Sequence, residues 1–191
     1  MLPEKARLPI SFDAKKLKHD LGKIEADWTA HFVKDNYEGD WSVIPLRGPK
    51  GAQHPIQMIF SSPSVKEFED TSFLKGCDYF KEVIDWFETY VTSVRLMRLG
   101  AGAKIKQHQD YDLDEDDGIV RIHIPIITSE LVEFYLNRER LEMKEGECWY
   151  CRLSDPHSVY NRGTEDRIHL VLDMELNSWL KGKVQNNSVA T

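Results

Sequence analysis

The chain has 191 residues, of which 41% are hydrophobic and 30% charged, a composition that excludes a disordered chain and leaves room for a sizeable core. Its 25 Lys+Arg against 32 Asp+Glu give a formal net charge of −7, which argues against a general nucleic-acid binder, since phosphates need cations. Apolar runs are too short for a transmembrane helix, residues 1–7 lack an apolar signal core, and Cys77, Cys148 and Cys151 make no disulfide framework. A reducing cytoplasm is the expected setting, with no membrane partner.

In chain order, Leu17, Leu21, Ile24 and Trp28 recur at helical spacing behind a possible Asp13 cap and predict the first helix. Residues 31–74 read as irregular chain with strands at 41–45 and 57–60. Phe80, Val83, Ile84, Phe87 and Tyr90 predict a second helix behind Asp78. From about Val91 the period changes. Segments 94–99, 119–127, 132–136, 148–153, 158–161 and 167–174 are short, rich in β-branched or aromatic residues, and separated by turn signals. A short closing helix is expected at 176–180, and 183–191 reads as a polar tail. Evenly spaced short strands argue for a sandwich or jelly-roll barrel. The expectation is therefore one domain over 1–182, mainly β with flanking helices. Its first part, about 1–90, is helical or irregular, and its β core covers about 91–175.

His108 and Asp110 fall at i and i+2, which in a strand aims an imidazole and a carboxylate at one point. Alone, the pair equally fits a surface histidine beside an acidic loop. His157 opens a strand, and a turn centred near Arg162 would make it a cross-strand neighbour of Arg167. In 119–127 one face is apolar (Val120, Ile122, Ile124, Ile126) and the other carries Arg121 and His123, which either meet solvent or line a cavity. Two histidines and one carboxylate make the facial triad of non-haem Fe(II) oxygenases, which leaves open positions for a 2-oxoacid and O2. A nearby arginine suits the far carboxylate of 2-oxoglutarate.

On these residues the sequence resembles the aspartyl/asparaginyl β-hydroxylase family of Fe(II)/2-oxoglutarate dioxygenases, in particular its small bacterial branch that includes proline cis-hydroxylases. The likeness runs from about Tyr37 to Trp179. It is strongest at Ser93-Val-Arg-Leu-Met-Arg-Leu99, His108-Gln-Asp-Tyr-Asp112, Val120-Arg-Ile-His-Ile-Pro125, Gly146-Glu-Cys-Trp-Tyr150, and Pro156-His157 through Asn161-Arg-Gly163 to Arg167-Ile-His-Leu-Val171. The resemblance implies a double-stranded β-helix, of jelly-roll, cupin-like type. It implies iron at His108, Asp110 and His157, the 2-oxoglutarate carboxylate at Arg167, and Arg121 and His123 as cavity residues touching cosubstrate or substrate carboxylates. Asp110 departs from the animal aspartyl β-hydroxylases, which lack the metal carboxylate, and it also argues against halogenation. A small carboxylate-bearing substrate is expected, a free amino acid such as proline. Arg95 is favoured over Arg98, which points the other way along the strand, as a substrate contact, and Trp41 is a candidate wall of the site. The rivals are a cupin-type metal-binding isomerase without 2-oxoglutarate, which needs no Arg167 near the metal, and a ligand-binding module with a vestigial site.

Other features are set aside. The acidic run from Asp110 to Asp117 fails the calcium-loop template, because Glu115 stands where Gly is needed and Arg121 where Glu is needed. It remains either a mobile loop or a solvated one. Cys148 and Cys151 lie in a strand and read as core. His19, His31 and His54 have no partner pattern. His169 shares the parity of Arg167, and a structural role is expected for it.

Overall fold

A computed structural model describes residues 1–59 and 65–189. The first half holds β1 (Lys5–Ser11), α1 (Ala14–Leu21), β2 (Thr29–Ala30), β3 (Tyr37–Glu38), β4 (Trp41–Pro49), α2 (Pro55–Ile59), β5 (Phe68–Asp70) and α3 (Asp78–Asp85). The second half holds β6 (Val91–Leu99), β7 (Lys104–His108), β8 (Ile119–Ile127), β9 (Val132–Leu136), β10 (Glu139–Leu141), β11 (Glu147–Cys151), β12 (His157–Asn161), β13 (Arg167–Glu175) and α4 (Ser178–Gln185).

Strand alternation in β6, β8 and β13 builds a sheet with two unlike faces. This larger sheet has the order β1-β11-β8-β13-β6-β4-β2, with β5 beside β4, and the smaller has the order β10-β9-β12-β7-β3. Every recorded pairing is antiparallel, and the two sheets face each other as a double-stranded β-helix. Two cores result. Outside the larger sheet, Val94, Leu96, Ile122, Ile124, Leu170 and Leu172 meet Leu17 of α1, Phe80 and Val83 of α3, and Leu180 of α4. Between the sheets, Met97, Leu99, Trp149 and Val171 meet Ile105, Phe134 and Val159. All three cysteines are free and buried, Cys77 and Cys148 in the first core and Cys151 in the second.

Several expectations are corrected. The first helix has its Asp13 cap, which accepts from the Lys15 and Lys16 amides, but it stops at Leu21. Ile24 and Trp28 still pack on the core, from non-helical chain. The second helix ends at Asp85, where the chain turns toward β6. Its N-terminus is served by the buried Asp20 of α1, whose carboxylate accepts from the Tyr79 and Phe80 amides at 2.8 and 3.0 Å; Asp78 lies inside the helix. In place of a strand at 57–60 there is the helix α2, and Phe60 lies outside the described residues. Helix α4 begins at Ser178 and runs to Gln185, so its last turn occupies the start of the expected tail. The strand β1 escapes the sequence pattern because it is an edge strand with Pro9 in it and mixed polarity.

Gly146 locks the start of β11 against its neighbours. Its φ is +80°, its amide donates to the Pro125 carbonyl, and a Cβ there would lie 2.1 Å from the Phe12 carbonyl oxygen.

Candidate active site

The two histidines meet because β7 and β12 are neighbours, with a one-residue register shift between the Val159–Ile105 pair and His157 that sets His108 opposite His157, ring centres 4.2 Å apart. This replaces the expected hairpin of His157 with Arg167. The turn after Asn161 carries the chain from the smaller sheet to the larger, held by the Asn161 side chain donating to the carbonyls of Leu99, Gly100 and Glu165. Asp110 also arrives differently: β7 ends at His108, and the turn beyond it is fixed by the Asp110 amide donating to the Leu153 carbonyl at 2.8 Å. One ligand atom from each of His108, Asp110 and His157 lies within 4.8 Å of the others.

Neighbouring groups orient each ligand. His108 Nδ1 contacts the Lys106 carbonyl at 2.8 Å, and His157 Nδ1 contacts the Asp155 carbonyl at 3.0 Å. A carbonyl only accepts, so both Nδ1 atoms carry the proton and both Nε2 lone pairs are free for a metal. Burial and the adjacent His108 push the His157 pKa down to about 4, so the ring is neutral at neutral pH. Asp110 divides its oxygens: Oδ2 accepts from Arg121 Nη1 at 2.8 Å, and Oδ1 lies 3.8 Å from His108 Nε2. Two imidazole nitrogens and one carboxylate oxygen fit Fe(II).

The inner face of the larger sheet carries the remaining polar residues. Arg121, Asp173 and Ser93 form one row across β8, β13 and β6. Asp173 is 1% exposed and accepts from Arg121 Nε at 2.6 Å, Arg121 Nη2 at 3.0 Å, Ser93 and Arg95. Burial opposes its charge, but the two guanidiniums outweigh burial and hold its pKa well below the usual carboxylate range. The sequence reading missed Asp173. Its signal is a carboxylate at the parity of Arg167 and His169 in a strand whose other face is apolar up to Met174. Arg95 is therefore an ion-pair partner of Asp173 that also lines the cavity, whereas Arg98 points away and pairs with Asp40.

A cavity of about 800 Å³ joins these groups. Its walls include the three candidate ligands, Arg95, Arg121, His123, Arg167 and Trp41. Arg167 is 3% exposed, has no carboxylate partner among the described residues, and has its pKa pushed down to about 9 by burial. His123 is buried with neither ring nitrogen partnered among the described residues, and burial followed by the Arg167 charge keeps it neutral. Trp41 stacks on His31 with ring centres 3.6 Å apart. His31, dismissed by sequence pattern, thus lines the cavity, and burial and Arg95 push its pKa down to about 3. The acidic run borders the mouth through Asp112 and Asp117, and Glu115 anchors it to the Leu2 amide and to Lys181 of α4.

The family model for aspartyl/asparaginyl β-hydroxylase matches residues 10–176. An L-proline cis-4-hydroxylase from Rhizobium meliloti (strain 1021) is 26% identical over 180 residues, 93% of this chain and 62% of the relative. The chain thus spans less than two thirds of that relative's length. Among solved structures, a 2OG-Fe(II) oxygenase family oxidoreductase from Burkholderia pseudomallei superposes with a TM-score of 0.57 at 12% identity, covering 91% of this chain and 86% of its own. A Pseudomonas putida prolyl-4-hydroxylase superposes with a TM-score of 0.52 at 12% identity, covering 92% and 94%. These two likenesses establish the fold.

Proposed function

The chain belongs to the aspartyl/asparaginyl β-hydroxylase family, and on that footing we propose that it is an Fe(II)/2-oxoglutarate-dependent dioxygenase. It hydroxylates a C–H bond of a small carboxylate-bearing molecule, a free amino acid such as proline, while 2-oxoglutarate and O2 become succinate and CO2. One observation carries this reading: a two-histidine, one-carboxylate cluster shares a cavity with a buried arginine that has no carboxylate among the described residues to neutralise it. A cupin-type isomerase without 2-oxoglutarate, or a binding module with a vestigial site, would leave that buried charge uncompensated, at a cost of several kcal/mol.

His108 Nε2, His157 Nε2 and Asp110 Oδ1 would hold the metal. Iron bound there supplies the activation of O2 coupled to decarboxylation of the 2-oxoacid. Arg167 pairs with the far carboxylate of 2-oxoglutarate, and the His123 ring nitrogens offer a further polar contact. Arg121 keeps Asp110 turned with one oxygen toward the metal, its own charge secured by Asp173. Arg95 offers a cation for the substrate carboxylate. The stacked Trp41 and His31 wall off water on that side.

Residues 1–182 act as one catalytic domain in this reading, because β1 and α4 close the same core as the strands that carry the ligands. Residues 183–185 complete α4, and Val184 belongs to that same core. Small molecules are its partners, without nucleic acid or membrane. No helix among the described residues is long and apolar enough to cross a membrane. Three buried, unpaired thiols support a cytoplasmic setting.

The test is an anaerobic titration of the metal-free protein with Fe(II) and 2-oxoglutarate, followed by the visible charge-transfer band. A saturable band, lost in His157→Ala and weakened in Arg167→Met, is expected. Stoichiometric iron with no band refutes the 2-oxoglutarate reading.

A further inference from the structure

We infer that His169 is a positioning residue that aims Arg167 at the cosubstrate, a role that rests on the 2-oxoglutarate reading above. Arg167 and His169 sit two apart on the inner face of β13, and Arg167 Nη2 lies 2.8 Å from His169 Nδ1. A guanidinium has no acceptor, so Nδ1 must accept and the ring proton must sit on Nε2. The contact is closed to solvent, with Arg167 3% and His169 2% exposed. Burial, then the Arg167 charge, hold the His169 pKa well below its ordinary value, so the ring stays a neutral acceptor.

The local backbone is built for this contact. Opposite His169, β8 has Pro125, and between the pairs Ile168–Ile127 and His169–Pro125 the register slips by one residue on β8. Such a bulge re-aims neighbouring side chains and is common beside active sites. A second cavity of about 360 Å³ lies behind, with Phe134, Arg167 and His169 among its walls. Phe134 and Arg167 also line the main cavity, so they separate the two spaces. Without His169 the guanidinium has room to swing back into the second cavity. With it, one Nη is tied down. Arg167 Nε has no partner among the described residues and remains for a carboxylate that enters from the metal side.

The experiment measures 2-oxoglutarate binding to the anaerobic, iron-loaded protein by calorimetry for the wild type, His169→Leu and His169→Asn, whose Oδ1 replaces the Nδ1 acceptor. His169→Leu should weaken 2-oxoglutarate binding about tenfold or more, the scale of one hydrogen bond to a charged group. His169→Asn should recover most of that loss. Iron stoichiometry and the KM for the substrate should not change, and kcat at saturating 2-oxoglutarate should fall far less than kcat/KM. ¹⁵N NMR of the histidines in the zinc-substituted wild type reads the tautomer without any variant, and an Nε2–H ring at His169 is expected. Wild-type affinity in His169→Leu, or an Nδ1–H tautomer, overturns the inference while leaving the proposed function standing. No binding of 2-oxoglutarate by the wild type overturns both.

Discussion

The two faces of β13 are equally buried and chemically opposite. Leu170, Leu172 and Met174 on the helix side are 0% exposed, and Arg167, His169 and Asp173 on the cavity side are 1–3% exposed. The helix side is closed by other apolar chains. The cavity side keeps polar atoms with no partner among the described residues, including His123 Nδ1 and Nε2, Arg95 Nε, Arg167 Nε and His169 Nε2. Along β13 burial therefore does not separate core from site; unmade hydrogen bonds do, and leaving a buried donor unmade costs about 1–3 kcal/mol unless a ligand supplies the partner.

The contrast can be tested from both sides. The largest effect belongs to His157→Ala, which removes a proposed metal ligand facing the cavity. Turnover should fall on the order of 10³-fold or more, with a melting temperature near that of the wild type when both are metal-free. Parallel calorimetry and a succinate-release assay measure the two quantities. Asp173→Ala should cross the divide, because it strips the counter-charge from Arg95 and leaves Arg121 with Asp110 alone. A loss of about 3–5 kcal/mol in urea unfolding is expected together with loss of activity. The folded-state pKa of Asp173 is depressed, so the stability it contributes is fully present above its unfolded value of about 4 and is lost as pH falls toward the folded value. Asp173→Asn should accordingly flatten the acid limb of stability against pH; a limb parallel to that of the wild type would remove Asp173 from the account.

Leu172→Ala, next in the chain but on the helix side, should cost about 2–5 kcal/mol and leave 2-oxoglutarate binding intact. A tenfold loss of binding in that variant would mean the two faces are not independent. Asp20→Ala, farthest from the cavity, leaves the Tyr79 and Phe80 amides without their acceptor and should cost about 1–2 kcal/mol with no change in KM.

How much of this was legible in the sequence followed from where information is local. The strand runs from 119 to 127 and 132 to 136 match β8 and β9 end to end, because alternation and flanking turns fix them. The ligand residues were legible as types. Their convergence was not, because the pairing of His108 with His157 is a long-range register and the approach of Asp110 depends on a turn held by Leu153. The turn after Asn161 misleads about Arg167 for the same reason: a turn motif does not say which sheet the chain enters next. The Asp20 cap of α3 was hidden because the donor amides and their acceptor come from helices far apart in sequence.

The three thiols have a chemical consequence. An enzyme that activates O2 exposes itself to its own stray oxidants, and the thiolate is the form of cysteine they attack. Burial raises the pKa of Cys77 and Cys148, and pushes that of Cys151, in the layer next to the cavity, up to about 12. All three remain protonated and out of solvent's reach, so the packing that stabilises the sheets also shields the thiols from stray oxidants of the proposed reaction.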